Sequence, residues 1–335
     1  MTQTDLSSRK LDHIQLAFES QITSGDSRFY YEPLLSAHPR DSVLIPSVNI
    51  AGKTMRAPIW ISSMTGGAAK AGEINRLLAT VAAEFGLGMG LGSCRPVLEH
   101  SPYEKDFHVR KFIGNQPLFA NLGIAQLEEL FALGKEDSLK RLIGDLEADG
   151  LIIHVNPMQE FMQPEGDRFQ QSPLETIQRV LDIFDSPVIV KEVGQGMGPT
   201  SLKALAALPL EAIDYGAFGG TNFSKLENLR RSEQQQQWLS PLQFVGHTAE
   251  EMTHMMEGIH QDLGSDFRCK NIIVSGGIGN FLDGYYHLNK LPISAVYGHA
   301  APFLKMALEG EEVLRQFVEF QISGLAMAYA YLKVK

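Results

Sequence analysis

The stretch Gly150-Leu-Ile-Ile-His-Val-Asn-Pro-Met-Gln-Glu160 decides the fold, because in it a short apolar run gives way at once to ionisable and ligand-capable side chains. Leu151 to Val155 is bounded by Gly150 and Pro157 and rich in β-branched residues, which suits a buried parallel strand rather than a helix. Side chains alternate along a strand, so Ile152, His154 and Asn156 share one face and Leu151, Ile153 and Val155 the other. With the first face turned into a barrel, His154 and Asn156 stand at its rim. Pro157 cannot donate to a ladder, so it ends the strand and delivers Gln159 and Glu160 into the loop above. Taken singly, His154 reads as a core histidine and Glu160 as a solvated carboxylate. Bunched with Asn156 and Gln159 at one strand end, they point to a site.

Working outward, similar short apolar runs recur at Ala57 to Ser62, Leu87 to Met89, Leu118 to Ala120, Val188 to Glu192, Ala212 to Tyr215, Ile272 to Val274 and Ala295 to Tyr297. Helical patterns lie between them at Glu73 to Phe85, Leu139 to Ala148, Leu174 to Phe184, Ser201 to Leu208, Ala249 to Leu263 and Phe281 to Leu288. Eight alternating units predict an α/β fold, a (β/α)8 TIM barrel over residues 57–335. Residues 1–56 read as an N-terminal extension closing on the active site. One segment breaks the rhythm. Glu227 to Gly246 carries Arg230-Arg231, a glutamine run and Trp238, and is expected to be a mobile loop at the catalytic face, with disorder as the alternative.

Composition narrows the function. A chain of 335 residues with 44% hydrophobic content holds one large barrel core. A formal net charge of -10 argues against a nucleic-acid or anionic-membrane binder, so an anionic substrate must be held by a few local cations. Cys94 and Cys269 lack metal-ligand spacing, the first residues are too polar for a secretory signal, and no apolar run reaches the roughly 20 residues of a membrane span. The expectation is a cytoplasmic protein.

In such barrels the chemistry lies at the C-terminal strand ends. Here those ends carry Ser62-Ser63-Met64-Thr65-Gly66-Gly67, Gly92-Ser93-Cys94-Arg95, Ala120-Asn121, Lys191-Glu192, Gly219-Gly220-Thr221, Ser275-Gly276-Gly277 and Gly298-His299-Ala300-Ala301. Glycines after strands seven and eight signal a phosphate cradle. With small-residue loops across the rim, the pattern fits a flavin mononucleotide over the barrel mouth. Lys191 then falls near the pyrimidine edge, where a cation stabilises the reduced ring; the alternative is an interior lysine paired with a carboxylate. Gly52-Lys53-Thr54 lacks the leading glycine of a P-loop, and Gly86 to Gly92 lacks dinucleotide-binding spacing. Cys94 reads as a buried, inert thiol.

With these loops assembled, the chain resembles the type II isopentenyl-diphosphate isomerases over nearly its whole length. The likeness rests on Arg9-Lys10-x-Asp12-His13-Ile14, Met64-Thr65-Gly66-Gly67, His154-x-Asn156-Pro157-x-Gln159-Glu160, Gln163-Pro-Glu-Gly-Asp167-Arg168 and Lys191-Glu192-Val-Gly194, together with the glycine loops. The resemblance implies that FMN is held by Ser63, Met64, Thr65, Ser93, Asn121, Lys191, Thr221, Gly276, Gly277, Ala300 and Ala301. It implies that Arg9, Lys10, Arg95 and Gln159 bind a diphosphate substrate, that Gln159, His154 and Asn156 are catalytic, and that Glu160 binds Mg²⁺. Reduced FMN would shift the double bond by proton exchange at its N5 with Gln159 assisting, NADPH would serve only to reduce the flavin, and the protein would be a tetramer or octamer. The chain departs from the family pattern in three places: Cys94 for Gln, Gly279 for Arg, and Asn222-Phe223 for Ser-Trp.

Two other readings compete. One is a redox flavin barrel, 2-hydroxy-acid oxidase-like or inosinate-dehydrogenase-like, for which His247 lacks a nearby carboxylate-clamping arginine in sequence. The other is a flavin-binding protein that has lost activity, motivated by Cys94 and Gly279. Turnover of isopentenyl diphosphate by reduced protein separates all three.

Overall fold

The computed structural model describes residues 3–39, 45–63 and 70–335, with side chains from residue 8 onward. Met64 and Thr65, expected at the flavin, lie outside the described residues. Eight parallel strands close into a barrel: β1 (Ile59–Ile61), β2 (Gly88–Gly90), β3 (Leu118–Gly123), β4 (Gly150–Val155), β5 (Val188–Glu192), β6 (Ala212–Asp214), β7 (Asn271–Ser275) and β8 (Ala295–His299). They follow one another in chain order around the ring, and β8 pairs with β1. Each apolar run read from the sequence is one of these strands.

Alternation sorts their side chains into two cores. Trp60, Phe119, Ile152, Ile189, Ala212, Ile273 and Val296 meet inside the barrel, whereas Leu151, Ile153, Val188 and Val190 pack outward against the helices. The outer helices begin where the sequence supplies caps. Ser172 with Glu175, Thr248 with Glu251 and Asn280 with Asp283 form capping boxes at Pro173–Ile183, Ala249–Leu263 and Phe281–Lys290.

Part of the N-terminal extension is structural. The antiparallel pair Val48–Ile50 and Lys53–Met55 inserts Val48, Ile50 and Met55 into the inner core. It is tied down at the N-terminal ends of the strands, where Ala51 N donates to Glu211 (2.6 Å) and Lys53 pairs with Asp149 (2.6 Å). The hairpin therefore seals the end opposite the candidate site, and Gly52, in the P-loop-like triplet, is its turn residue with φ +73°. Ahead of it, the helix Gln3–Leu16 is exposed along the side chains described, Arg9 and Lys10 included.

The segment Glu227 to Gly246, expected as a loop, is largely helical: Phe223–Leu229 and Glu233–Leu239 are helices, followed by a 3₁₀ turn at Ser240–Phe244. Arg231 Nε donates to Met162 O (2.6 Å), Asn228 Nδ2 to Gln236 O (3.0 Å) and Asn222 Nδ2 to Gln243 O (3.0 Å). Polar side chains that suggested solvent instead satisfy backbone carbonyls. Helices at Ala301–Glu309 and Glu311–Tyr331, not marked out in the sequence reading, complete the outer layer, and Leu332–Val334 pairs with Phe29–Tyr31.

Candidate active site

Two residues beyond the apolar layer, every strand presents its next inward position to the C-terminal mouth. In barrel order these are Ser62, Gly90, Asn121, His154, Lys191, Asp214, Ser275 and Gly298. The register confirms the row on its charged side, where His154 lies opposite Lys191 and Lys191 opposite Asp214. Glycine occupies two positions for want of room. A Cβ on Gly90 would meet Ile152 Cδ1 at 2.6 Å and Ser63 Oγ at 2.7 Å, and one on Gly298 would meet Ser62 Oγ at 2.6 Å.

A cleft opens over the β5 to β8 side of this floor. Six of the expected cofactor residues, Lys191, Thr221, Gly276, Gly277, Ala300 and Ala301, line it together. Gly276 and Gly277 have φ of +86° and +73°, and a Cβ on Gly220 would meet Gly276 Cα at 3.2 Å, so the loops approach closely only because side chains are missing. The carboxylate of buried Glu192 shapes the neighbouring turn: its Oε2 accepts from Gly194 N (2.7 Å), Gln195 N (2.6 Å) and Gly196 N (2.9 Å). Burial pushes Glu192 up to about 7, against the pull of those three donors and of Lys191.

A second group forms beside the cleft, around the end of β4. His154 Nδ1 bonds to Asn121 Oδ1 (2.8 Å), and Asn121 Nδ2 donates to Leu91 O (3.0 Å). Burial, with the Lys191 charge second, pushes His154 down to about 4, so its imidazole is neutral at pH 7. Asn156 stands at the N-cap position of the helix Pro157–Met162, and its Nδ2 donates to Gln159 Oε1 (3.2 Å) and Glu160 Oε1 (2.9 Å). Glu160 Oε2 accepts from Asp167 N (2.8 Å), and Arg95 approaches Asp167 at 4.0 Å while bonded to Glu99 (2.6 Å). Gln159, Glu160 and Arg95 are thus brought to one side of the mouth. Ser63 abuts Gly90, but Ser93 is exposed and outside the cleft lining. Among the described residues, no hydrogen bond or ion pair joins Arg9 or Lys10 to the barrel.

The sequence reading gave no role to Asp214, Ser62, Ser275 or Glu192. The first three were available from the alternation that exposed His154, carried one step further along each strand. Cys94 is buried as expected, accepts from Asn121 N (3.4 Å), and is pushed by burial up to about 12, which excludes a reactive thiolate.

The donor set fits a flavin phosphate and ring. Around the mouth Ser62 Oγ, Ser63 Oγ and Asn156 Oδ1 are buried without a hydrogen-bond partner. The glycine cradle is also too tight for side chains yet lined with backbone amides. Among the described residues no cluster of three His, Cys, Asp or Glu could hold a metal by itself. A Mg²⁺ that keeps its waters and shares substrate phosphates needs only a carboxylate such as Glu160.

No family model matches the chain. Among curated proteins it is similar to the isopentenyl-diphosphate delta-isomerase of Nostoc sp. (34% identity, 95% of this chain and 89% of that one). It is similar also to those of Ignicoccus hospitalis (32%, 94% and 86%) and Rickettsia africae (34%, 95% and 91%). Among solved structures it shares its fold with a flavocytochrome b2 with pyruvate bound (TM-score 0.62, 13% identity, 90% of this chain and 71% of that one). A mandelate oxidase with an FMN adduct gives a TM-score of 0.56 at 14% identity, covering 100% of this chain and 99% of that one.

Proposed function

The chain belongs to the isopentenyl-diphosphate delta-isomerase family, and on that premise we propose that it interconverts isopentenyl and dimethylallyl diphosphate as a type II, FMN-dependent enzyme. One observation carries the reading. β4 delivers His154 to the polar floor beside Lys191 and then Asn156, Gln159 and Glu160 to the adjoining rim, next to a glycine cradle suited to a flavin phosphate.

Moving a carbon–carbon double bond by one position requires a proton added at one end and removed at the other. Reduced FMN, when bound, supplies that proton exchange at its N5. Gly276, Gly277, Ala300, Ala301 and Thr221 would hold its phosphate side, Lys191 its pyrimidine edge, and Ser63, Ser93, Asn121, Met64 and Thr65 the remainder of the ring. Neutral His154, its Nδ1 proton engaged by Asn121, has only Nε2 left as an acceptor and adds no charge beside the apolar part of the substrate. Asn156 orients Gln159, whose amide faces the reacting carbons and assists proton movement. Glu160 would offer its carboxylate to a Mg²⁺ that neutralises the diphosphate, and Arg95, Arg9 and Lys10 would supply charge-assisted contacts to that diphosphate. NADPH enters only as the reductant.

Further parts of this reading are a homo-oligomer and a cytoplasmic location. The exposed apolar side chains of the N-terminal segment, Phe18 (84% exposed), Ile22 (87%) and Leu34 (92%), support the former. For the latter, no helix among the described residues is long and apolar enough to cross a membrane. The redox alternative has no comparable support, since likeness at 13–14% identity to the two flavoenzymes shows the fold alone.

The test is isomerisation in anaerobic D₂O with stoichiometric nicotinamide. Reduced protein is expected to make many products per nicotinamide oxidised, with deuterium incorporated, while oxidised protein is inert. One product per nicotinamide, or equal rates from both redox states, restores the redox reading; no turnover in either state indicates a flavin-binding protein without activity.

A further inference from the structure

Asp214 is fully buried on β6 and is the register partner of Lys191 on β5. Its Oδ2 lies 3.8 Å from Lys191 Nζ, and no hydrogen-bond partner reaches that oxygen. Its Oδ1 accepts from Ser275 Oγ on β7. Ser275 Oγ in turn accepts from Gly216 N (3.0 Å), which directs the hydroxyl proton to the carboxylate. Lys191, only 11% exposed, donates to Glu192 O (2.8 Å) and lines the cleft; Asp214 does not line it. A carboxylate placed behind the lysine and held from the far side by a serine cannot touch a ligand in the cleft. It can act on one only through the ammonium.

We propose that Asp214 is a positioning residue for the isomerisation: its carboxylate fixes Lys191 beneath the flavin edge and offsets part of its charge. The Lys191–Asp214 pair, rather than Lys191 alone, then sets how much more tightly the site holds reduced than oxidised FMN. This rests on the FMN reading above. Burial raises the Asp214 carboxyl, and Lys191 is the main opposing influence.

The decisive measurement is the flavin midpoint potential of the wild-type holoprotein, Lys191→Met, Asp214→Asn and the double variant, with thermal unfolding of the flavin-free forms. Asp214→Asn leaves the ammonium uncompensated and should raise the ratio of oxidised to reduced FMN dissociation constants about tenfold, about 30 mV for a two-electron couple. Lys191→Met should lower it. In the Lys191→Met background Asp214→Asn should be silent, because a buried carboxyl without its cation is already neutral. An unchanged potential in Asp214→Asn, or the same shift in both backgrounds, overturns the proposal. Should the wild-type protein fail to bind FMN, the cofactor reading falls on its own, and the pair is judged by unfolding of the flavin-free forms. Each single variant is then expected to unfold at lower temperature than the double variant. Additive losses, or equal collapse of single and double variants, overturn the pair.

Discussion

His154 Nδ1 lies 2.8 Å from Asn121 Oδ1, and the other end of the same amide donates to Leu91 O at 3.0 Å. An amide so anchored presents only an acceptor to the ring, so Nδ1 carries the imidazole proton and Nε2 is left as the acceptor. Nε2 packs over Gly123, where an added Cβ would stand 2.5 Å from it. β3 therefore fixes both the tautomer and the position of a histidine on β4.

Asn121→Asp puts a carboxylate against Nδ1 and should raise the His154 pKa from about 4 by about 1–3 units. Titration of the ring nitrogens by NMR in the flavin-free protein checks this. A histidine that still titrates near its original value would remove Asn121 as the group that tunes it.

Glu160 accepts from both Asn156 Nδ2 and Asp167 N, so it organises the rim as well as offering oxygens to a metal. Glu160→Gln should retain flavin and lose at least about 100-fold in activity, together with its response to added Mg²⁺. Normal turnover with an unchanged metal titration would take Glu160 out of the site.

The glycine cradle makes a steric prediction. Gly276 has φ +86° and an added Cβ would lie 2.1 Å from Ala217 O, backbone that cannot swing aside. Gly134 has φ +61° with nothing within 4 Å. Gly276→Ala should cost about 3 kcal/mol or more and abolish FMN binding, whereas Gly134→Ala should cost about 1 kcal/mol, backbone strain alone, and leave FMN bound. Urea unfolding and flavin content distinguish them.

His299 is buried to 2% exposure, neither ring nitrogen has a partner, and burial pushes it down to about 4. The unfolded chain takes up this proton first as pH falls. The histidine's contribution is therefore full above about pH 6.5 and is lost as pH falls toward 4, about 2 kcal/mol of it by pH 5. Glu192 and Asp214, raised by burial, slope the opposite way, so the single variant is the informative one. His299→Leu should match or exceed wild-type stability at pH 7.5 in the flavin-free protein, with an advantage that grows toward pH 5. A constant difference across that range would show that His299 does not titrate on unfolding.

What the sequence determined by itself is what local rules encode. Period-two alternation in Leu151 to Val155 put Ile152 and His154 on the inner face, and short apolar runs alternating with helical patterns located all eight strands. The glycine pair after β7 and the lone Gly298 of β8 marked the cradle because only residues without side chains allow that approach. Tertiary structure alone decided which groups meet. Asp214 faces Lys191 because β5 and β6 pair in one particular register, and Asn121 orients His154 because β3 and β4 do. Val48, Ile50 and Met55 became the barrel's floor for a similar reason: their hairpin has no buried face until strands distant in sequence close around it. Glu227 to Gly246 looked like a loop because its residues are polar, but Asn222, Asn228 and Arg231 spend their donors on backbone carbonyls. A polar side chain in a sequence does not say whether its partner is water or protein, and the barrel supplied the partner.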